Sequence, residues 1–217
     1  MPAPSMPRPA ELPRRLHRIA AALVAAYVLV HLANHLAALR GIGAHIAFMR
    51  AVRQVSRVPA VEALLLLGVA VQAGSGLWML VRRARGGAPR RLLFERLQAW
   101  SGAYLAFFLL VHVVSVLSGR AVLGLDTNFY FAAAGLQVRP WPLFFVPYYG
   151  LAVAALFVHL ACALRRHLPA PMTLAVRERA AWGTIALGAM LAVLIVAAFS
   201  GMFYPIGLPP AYRATFS

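Results

Sequence analysis

Five long apolar stretches make up most of the chain, and short arginine-rich segments separate them. Each stretch is free of arginine and close to the roughly 20 residues that cross the hydrocarbon core of a bilayer. Backbone polar groups in lipid need internal hydrogen bonds, and the two-residue alternation of a membrane barrel is missing, so the stretches are predicted to be helices. The predicted fold is an all-α membrane protein, a five-transmembrane-helix bundle with spans at 19–39, 59–81, 97–119, 142–164 and 180–204.

The segments outside these spans are short. Residues 1–18 form a tail rich in Pro and Arg that has no clear cleavage site of a signal peptide, and we expect it to be flexible. Residues 205–217 are expected to form a second tail. Residues 41–58 set apolar positions against Arg50, Arg53 and Arg57, a pattern that predicts an amphipathic helix at the membrane surface.

The arginines predict how the bundle is oriented. The chain has 21 basic and 5 acidic residues, a formal net charge of +16, and every basic residue is arginine. Fourteen of them flank the ends of the spans on the side of the N-terminus and seven flank the other ends, so the N-terminus is predicted to be cytoplasmic and the C-terminus outside. A hydrophobic content of 62% excludes a soluble globule. Because the arginines cluster between spans, we expect membrane lipid and no nucleic acid as a partner.

Four histidines lie within the predicted spans, namely His31, His35, His112 and His159. Ionisable side chains at membrane depth are costly and usually serve a partner, an ion path or a cofactor. One such histidine is explained equally well as a neutral imidazole bonded to a neighbouring helix. Several at matched depths favour a cofactor.

Helical rise gives the depths. His31 lies ~18 Å and His112 ~21 Å from the cytoplasmic ends of their spans, so the two share an outer level. His159 lies ~8 Å from the cytoplasmic side, at an inner level. Gln72, ~14 Å from that side, is the nearest polar residue predicted to face His159.

Two levels of polar residues in a helix bundle are typical of stacked cofactors, and haem iron accepts two neutral imidazoles as axial ligands. Zinc fits less well because no thiolate or carboxylate shares either level. His35, one turn from His31, is the alternative ligand on the first span. Gly102 lies at the inner level and would admit a flat ring, although small residues also serve close helix packing in membranes.

Several short motifs are shared with a known family. They are Arg14-Arg15-Leu16-His17 before the first span, His31-Leu32, Gln98-Ala99-Trp100-Ser101-Gly102 with His112 ten residues after the glycine, and His159 late in the fourth span. With these motifs the chain resembles the five-helix dihaem cytochrome b anchor of succinate:quinone reductases and quinol:fumarate reductases.

The resemblance implies a membrane anchor that transfers electrons between an iron–sulfur subunit with its flavoprotein, on the cytoplasmic side, and membrane quinone. It implies that His31 and His112 are axial ligands of an outer haem b and that His159 is a ligand of an inner haem. Gln72 stands where the family has the second inner histidine. One haem b is therefore expected, with a second left open, together with quinone, in a bacterial cytoplasmic membrane.

Two further residues have candidate roles. Glu62, at the outer start of the second span, is a candidate proton acceptor during quinone turnover, the alternative being a solvated carboxylate or a pair with Arg57. His17 could contact a haem propionate, the quinone or a partner subunit. His45 and His167 receive no role.

Two other functions remain as alternatives. A cytochrome b of another dehydrogenase or of a hydrogenase would also carry paired histidines. A haem-free structural anchor or small transporter would use the histidines only to bond helix to helix.

Overall fold

The computed structural model describes residues 11–86, 92–169 and 171–216. Within these ranges the chain is helical, with no strand. The helices are α1 Glu11–Ala37, α2 Ile42–Ser56, α3 Pro59–Arg85, α4 Leu93–Ala121, α5 Phe129–Gln137, α6 Pro142–His167, α7 Leu174–Phe199 and α8 Pro210–Arg213. Short 3₁₀ turns at Ala38–Arg40 and Ala214–Phe216 follow α1 and α8.

Five of these helices, α1, α3, α4, α6 and α7, are long and apolar enough to cross a membrane. They have 26 to 29 residues each, which at 1.5 Å per residue exceeds the ~30 Å thickness of the hydrocarbon core. The predicted all-α fold with five spans is confirmed.

Consecutive long helices run antiparallel, so α1, α4 and α7 begin at one end of the bundle, called here the lower end, and α3 and α6 begin at the upper end. Tyr104 on α4 donates a hydrogen bond of 2.9 Å to the carbonyl of Tyr148 on α6. Gly188 on α7 approaches α6 so closely that an added Cβ would lie 2.1 Å from Cβ of Phe157. Because Gly188 has no side chain, the backbone of α7 packs directly against the Phe157 side chain of α6.

Several predicted span boundaries differ from the ends of the helices, for example the start of the fifth span, expected at residue 180 and found at Leu174; the largest differences are at the first and last spans. The first span begins at Glu11 and not at residue 19, so residues 11–18 belong to the helix and not to a flexible tail; residues 1–10 lie outside the described part of the chain. Arginines at 14, 15 and 18 do not end the helix, because they lie at the level where long side chains can reach polar surroundings. The last span ends at Phe199 instead of residue 204, since Gly201 adopts a φ of +80° that stops a right-handed helix.

Shorter elements cover the upper end. The segment expected to be amphipathic forms α2, and the loop between α4 and α6 contains α5, which sequence reasoning missed. The predicted external tail at 205–217 packs against the loop before α5 within the described residues, because Tyr212 is buried and its hydroxyl donates to the carbonyl of Asp126 at 2.9 Å. We use the name upper cover for three elements together: α2, α5 and the C-terminal segment at 205–216.

Candidate functional site

One cavity of about 1780 Å³ extends along the inside of the bundle, between α1, α3, α4 and α6. It is larger than the roughly 300–1,000 Å³ of an ordinary small-molecule pocket. Most of its lining is apolar, and its polar lining includes imidazoles at two levels. The upper cluster consists of His31, His35, His45 and His112, and the lower site consists of His17 and His159.

The upper cluster brings together the histidines of the predicted outer level. His31 on α1 and His112 on α4 have ring centroids 6.0 Å apart. Nε2 of His35 is 3.1 Å from Nε2 of His31, so one of these nitrogens donates to the other. His31 is therefore in contact with both His35 and His112.

His45 joins this cluster from α2, and sequence reasoning gave it no role. Its side chain is only 2% exposed, its ring stacks on His35 at 5.6 Å, and its Nε2 accepts a hydrogen bond of 3.2 Å from the Asn34 amide. Burial lowers the pKa of His45 to about 4, so its ring is neutral at pH 7. The spacing in the sequence could have indicated that His45 is buried, because it falls on the apolar face of α2 with Ile42, Ile46 and Met49.

The upper cluster also contains buried polar atoms that lack hydrogen-bond partners within the described part of the chain. They are Nδ1 of His35, Nδ1 of His45 and Oδ1 of Asn34. Nearly all buried polar atoms in proteins are paired, and an exception calls for a specific cause such as a bound group. Three such atoms around one cavity mark the place where a ligand would be held.

At the lower site, His17 projects from α1 towards α3. Its Nδ1 lies 3.0 Å from Oγ of Ser75, and its Nε2 lies 3.2 Å from Nε2 of Gln72. The sequence predicts that Gln72 faces His159, but in the structure its amide bonds to His17. From the sequence, His17 is expected at the cytoplasmic entry of the first span, because residues 1–18 are assigned to a tail.

His159 on α6 faces α4. Its Nδ1 lies 3.2 Å from Oγ of Ser101. A Cβ added to Gly102 would lie 3.2 Å from Cε1 of His159, so the glycine provides the space that the imidazole occupies. The structure therefore brings together the predicted site residues Gly102 and His159.

An ion pair lies at the upper end of the cavity. Glu62 on α3 bonds through both carboxylate oxygens to Arg120 on α4. The alternative partner considered from the sequence, Arg57, instead donates to Oγ1 of Thr127 at 3.1 Å. Glu62 is thus held at the cavity wall by a charged partner.

These donor sets fit a haem better than a bare metal ion. Among the described residues no group of three or more His, Cys, Asp and Glu side chains is arranged to hold a metal ion, and zinc needs four ligands. A haem supplies four nitrogens itself and needs only two axial imidazoles. With metal–nitrogen bonds of about 2 Å, such imidazoles have centroids roughly 6 Å apart, which is the separation of His31 and His112.

No family model, curated protein or solved structure matches the chain. Function is therefore inferred from the residues that line the cavity.

Proposed function

We propose that the protein is a membrane cytochrome b that transfers electrons between membrane quinone and an iron–sulfur subunit with its flavoprotein, as the anchor of a succinate dehydrogenase or fumarate reductase. The observation that carries this proposal is the pair His31 and His112. Two imidazoles from different transmembrane helices line the same cavity with their ring centroids 6.0 Å apart, close to the separation expected for two ligands of one iron.

The surrounding residues support an axial role for this pair. The cavity wall is mostly apolar, so it excludes water and favours a neutral imidazole with a free nitrogen lone pair. His35 lies against His31 and holds its ring through the bond between the two Nε2 atoms; with His31 as the donor, Nδ1 of His31 is left as the nitrogen that would bind the iron. When bound, haem b supplies reversible one-electron transfer.

Quinone chemistry requires protons as well as electrons. Glu62 is a carboxylate at the upper end of the cavity, and its pair with Arg120 keeps it in one orientation. In the proposed function Glu62 accepts a proton from the quinol or returns one to the quinone. Dicarboxylate and flavin chemistry belongs to the partner subunits, since the chain has no dinucleotide fingerprint and no phosphate loop.

The test is to purify the protein from its native membrane in mild detergent and to record its reduced-minus-oxidised spectrum. We expect a low-spin b-type spectrum, together with iron–sulfur and flavin-containing subunits and reduction of quinone by succinate or the reverse reaction with fumarate. A preparation without haem would overturn the cytochrome assignment. Haem with a hydrogenase or a different dehydrogenase would overturn the choice of partner.

A further inference from the structure

The two imidazoles of the upper cluster that would bind one iron are held in different ways. His31 bonds through Nε2 to His35, and its ring also stacks on Tyr27, with centroids 5.9 Å apart and planes 19° apart. His112 has two ring contacts and no hydrogen bond to any residue that the structure describes. A histidine that binds a metal almost always donates its second ring nitrogen to an oxygen, which fixes the plane of the ring. For His112 a different contact has to set that plane.

The ring of Phe108 is in a position to do so. Phe108 lies one helical turn before His112, on the same face of α4. The two rings have centroids 5.1 Å apart and planes only 16° apart, and offset stacking of this kind is a favoured arrangement of aromatic rings. The last torsion angle of a histidine side chain has only a broad preference of its own. The stack with Phe108 therefore restricts the rotation of the His112 ring.

Phe108 is itself held from α6. Its ring lies 4.8 Å from the ring of Tyr148, which is only 5% exposed. The hydroxyl of Tyr148 donates to the backbone carbonyl of Phe108 at 3.4 Å, and the carbonyl of Tyr148 accepts from Tyr104 on α4. Phe108 thus connects the α4–α6 contact to the imidazole that lines the cavity.

The result is a defined angle between the two imidazoles. The planes of the His31 and His112 rings are 68° apart, which is nearer to perpendicular than to parallel. Each axial imidazole interacts with the iron d orbitals in a direction set by its ring plane. The angle between the two planes therefore determines the anisotropy of a low-spin ferric centre, which electron paramagnetic resonance (EPR) measures. Nearly perpendicular planes give one strongly shifted low-field feature, and parallel planes give a rhombic signal at higher field.

We propose that Phe108 is a positioning residue of the upper haem site, which sets the plane of the His112 imidazole by stacking in place of a hydrogen bond; this inference rests on the proposed function. Phe108 touches neither the iron nor the quinone in this role. It acts through His112, so its removal should change the electronic structure of the centre and leave both axial ligands in place.

The experiment compares the oxidised EPR spectra of the unmodified protein, Phe108→Leu, Phe108→Met and Phe108→Tyr. The control is Phe107→Leu, because Phe107 is the neighbouring residue on α4 and is 51% exposed. The signal of the upper haem is identified as the one that His112→Ala abolishes. We expect the same haem content in all these proteins except His112→Ala. The low-field feature should broaden and move to higher field in the leucine and methionine variants, since a ring that turns more freely spends more time at smaller angles. It should stay in place in Phe108→Tyr, which keeps the aromatic ring, and in Phe107→Leu.

The possible failures are distinguishable. A low-field feature that stays in place in Phe108→Leu and Phe108→Met would overturn the role of Phe108 and leave the proposed function standing. Loss of the haem from both of these variants would also overturn it, because Phe108 would then support the fold or the haem itself and not the plane of one ligand. An unmodified protein without haem would overturn the proposed function, and this inference with it.

Discussion

Three histidines of the cavity are held by a hydrogen bond to a side chain of another helix. Asn34 holds His45, Ser75 holds His17, and Ser101 holds His159. Such bonds set the tautomer and orientation of a ring before any ligand arrives, which reduces the entropy lost on binding. At the scale of single residues, the cavity is therefore organised in advance.

The first prediction concerns the upper cluster. His112→Ala should abolish the low-spin spectrum of the upper haem, because the iron loses one of its two axial nitrogens. His31→Ala should have the same effect. The reduced spectrum of each purified variant provides the measurement.

His35→Ala is the matched comparison, since His35 lies one turn from His31 and bonds to it, while the ring that lies 6.0 Å from that of His112 is the ring of His31. This variant should retain a low-spin upper haem with a shifted potential. Loss of the signal in His35→Ala together with its survival in His31→Ala would reverse the assignment of the ligand on α1.

Sequence reasoning located His31, His112 and His159 because they lie inside arginine-free stretches. It gave His45 no role and placed His17 at the entry of the first span, as a contact of a haem propionate, the quinone or a partner subunit, since neighbouring arginines put both outside the predicted spans. Helices do not end where charges begin, and α1 starts six residues before His17. The contacts between side chains of different helices depend on how each helix is rotated and tilted. The depth of a residue along its own helix gives neither the rotation nor the tilt.

At the scale of elements, arginines at the end of α2 bind the upper cover to the loop before α5, and Arg53 makes most of these contacts. Arg53 on α2 donates to Oδ1 of Asp126 at 2.6 Å and to the carbonyl of Thr127 at 2.9 Å, in the loop before α5. Its side chain is 17% exposed while that of Asp126 is 50% exposed. The bonds are therefore partly screened by water, but they join two elements that lie over the upper cluster.

The second prediction follows from this contact. Arg53→Gln should loosen α2 and speed hydrogen exchange of its backbone amides, with a loss of about 1 kcal/mol for charged hydrogen bonds that are partly exposed. Arg50→Gln is the control, because Arg50 lies exposed on the same helix. Equal exchange in both variants would show that Arg53 does not hold the cover.

The third prediction concerns the contact of α6 with α7. Gly188→Ala should lower the free energy of unfolding by about 1–3 kcal/mol, since its Cβ would overlap the side chain of Phe157. Gly183→Ala on the same helix meets nothing within 4 Å and should be neutral or stabilising by up to about 1 kcal/mol. Thermal unfolding in one detergent measures both, and a Gly188→Ala midpoint equal to that of Gly183→Ala would contradict the close packing.

The long helices were predictable because twenty consecutive apolar residues leave few alternatives. α5 was not, since Phe129–Gln137 is too short to span a membrane and lies in a segment read as a loop. Its start has a local signal, because the Asn128 side chain accepts a hydrogen bond from the backbone of Tyr130. The packing of the C-terminal segment against α5 depends on tertiary contacts that no local pattern encodes.

At the scale of the whole molecule, the unequal distribution of arginines gives the fourth prediction. The lower end should face the cytoplasm and the upper end should lie outside. Met172→Cys in the loop between α6 and α7, and Met202→Cys after α7, provide exposed probes at the two ends. Each is made in a Cys162→Ser background, which removes the native thiol.

In intact cells a membrane-impermeant maleimide should label Met202→Cys and leave Met172→Cys unlabelled, while both should react after the membrane is opened. The opposite labelling pattern would show that the bundle has the inverted orientation in the membrane. The cytoplasmic partner subunits would then have to dock on the upper cover, which contradicts their expected place beside the arginine-rich lower end.

The distance between the two histidine levels has an energetic consequence. His17 and His31 are 14 residues apart on one helix, or ~21 Å, about two thirds of the ~30 Å hydrocarbon thickness. A unit charge that crosses a whole membrane exchanges about 2.3 kcal/mol per 100 mV. An electron passing between these levels would therefore exchange roughly 1.5 kcal/mol with a membrane potential of that size. The membrane potential would thus add to the driving force of the reaction in one direction and subtract from it in the other. Whether the chain favours quinone reduction or quinol oxidation would then depend on how strongly the cell has energised its membrane.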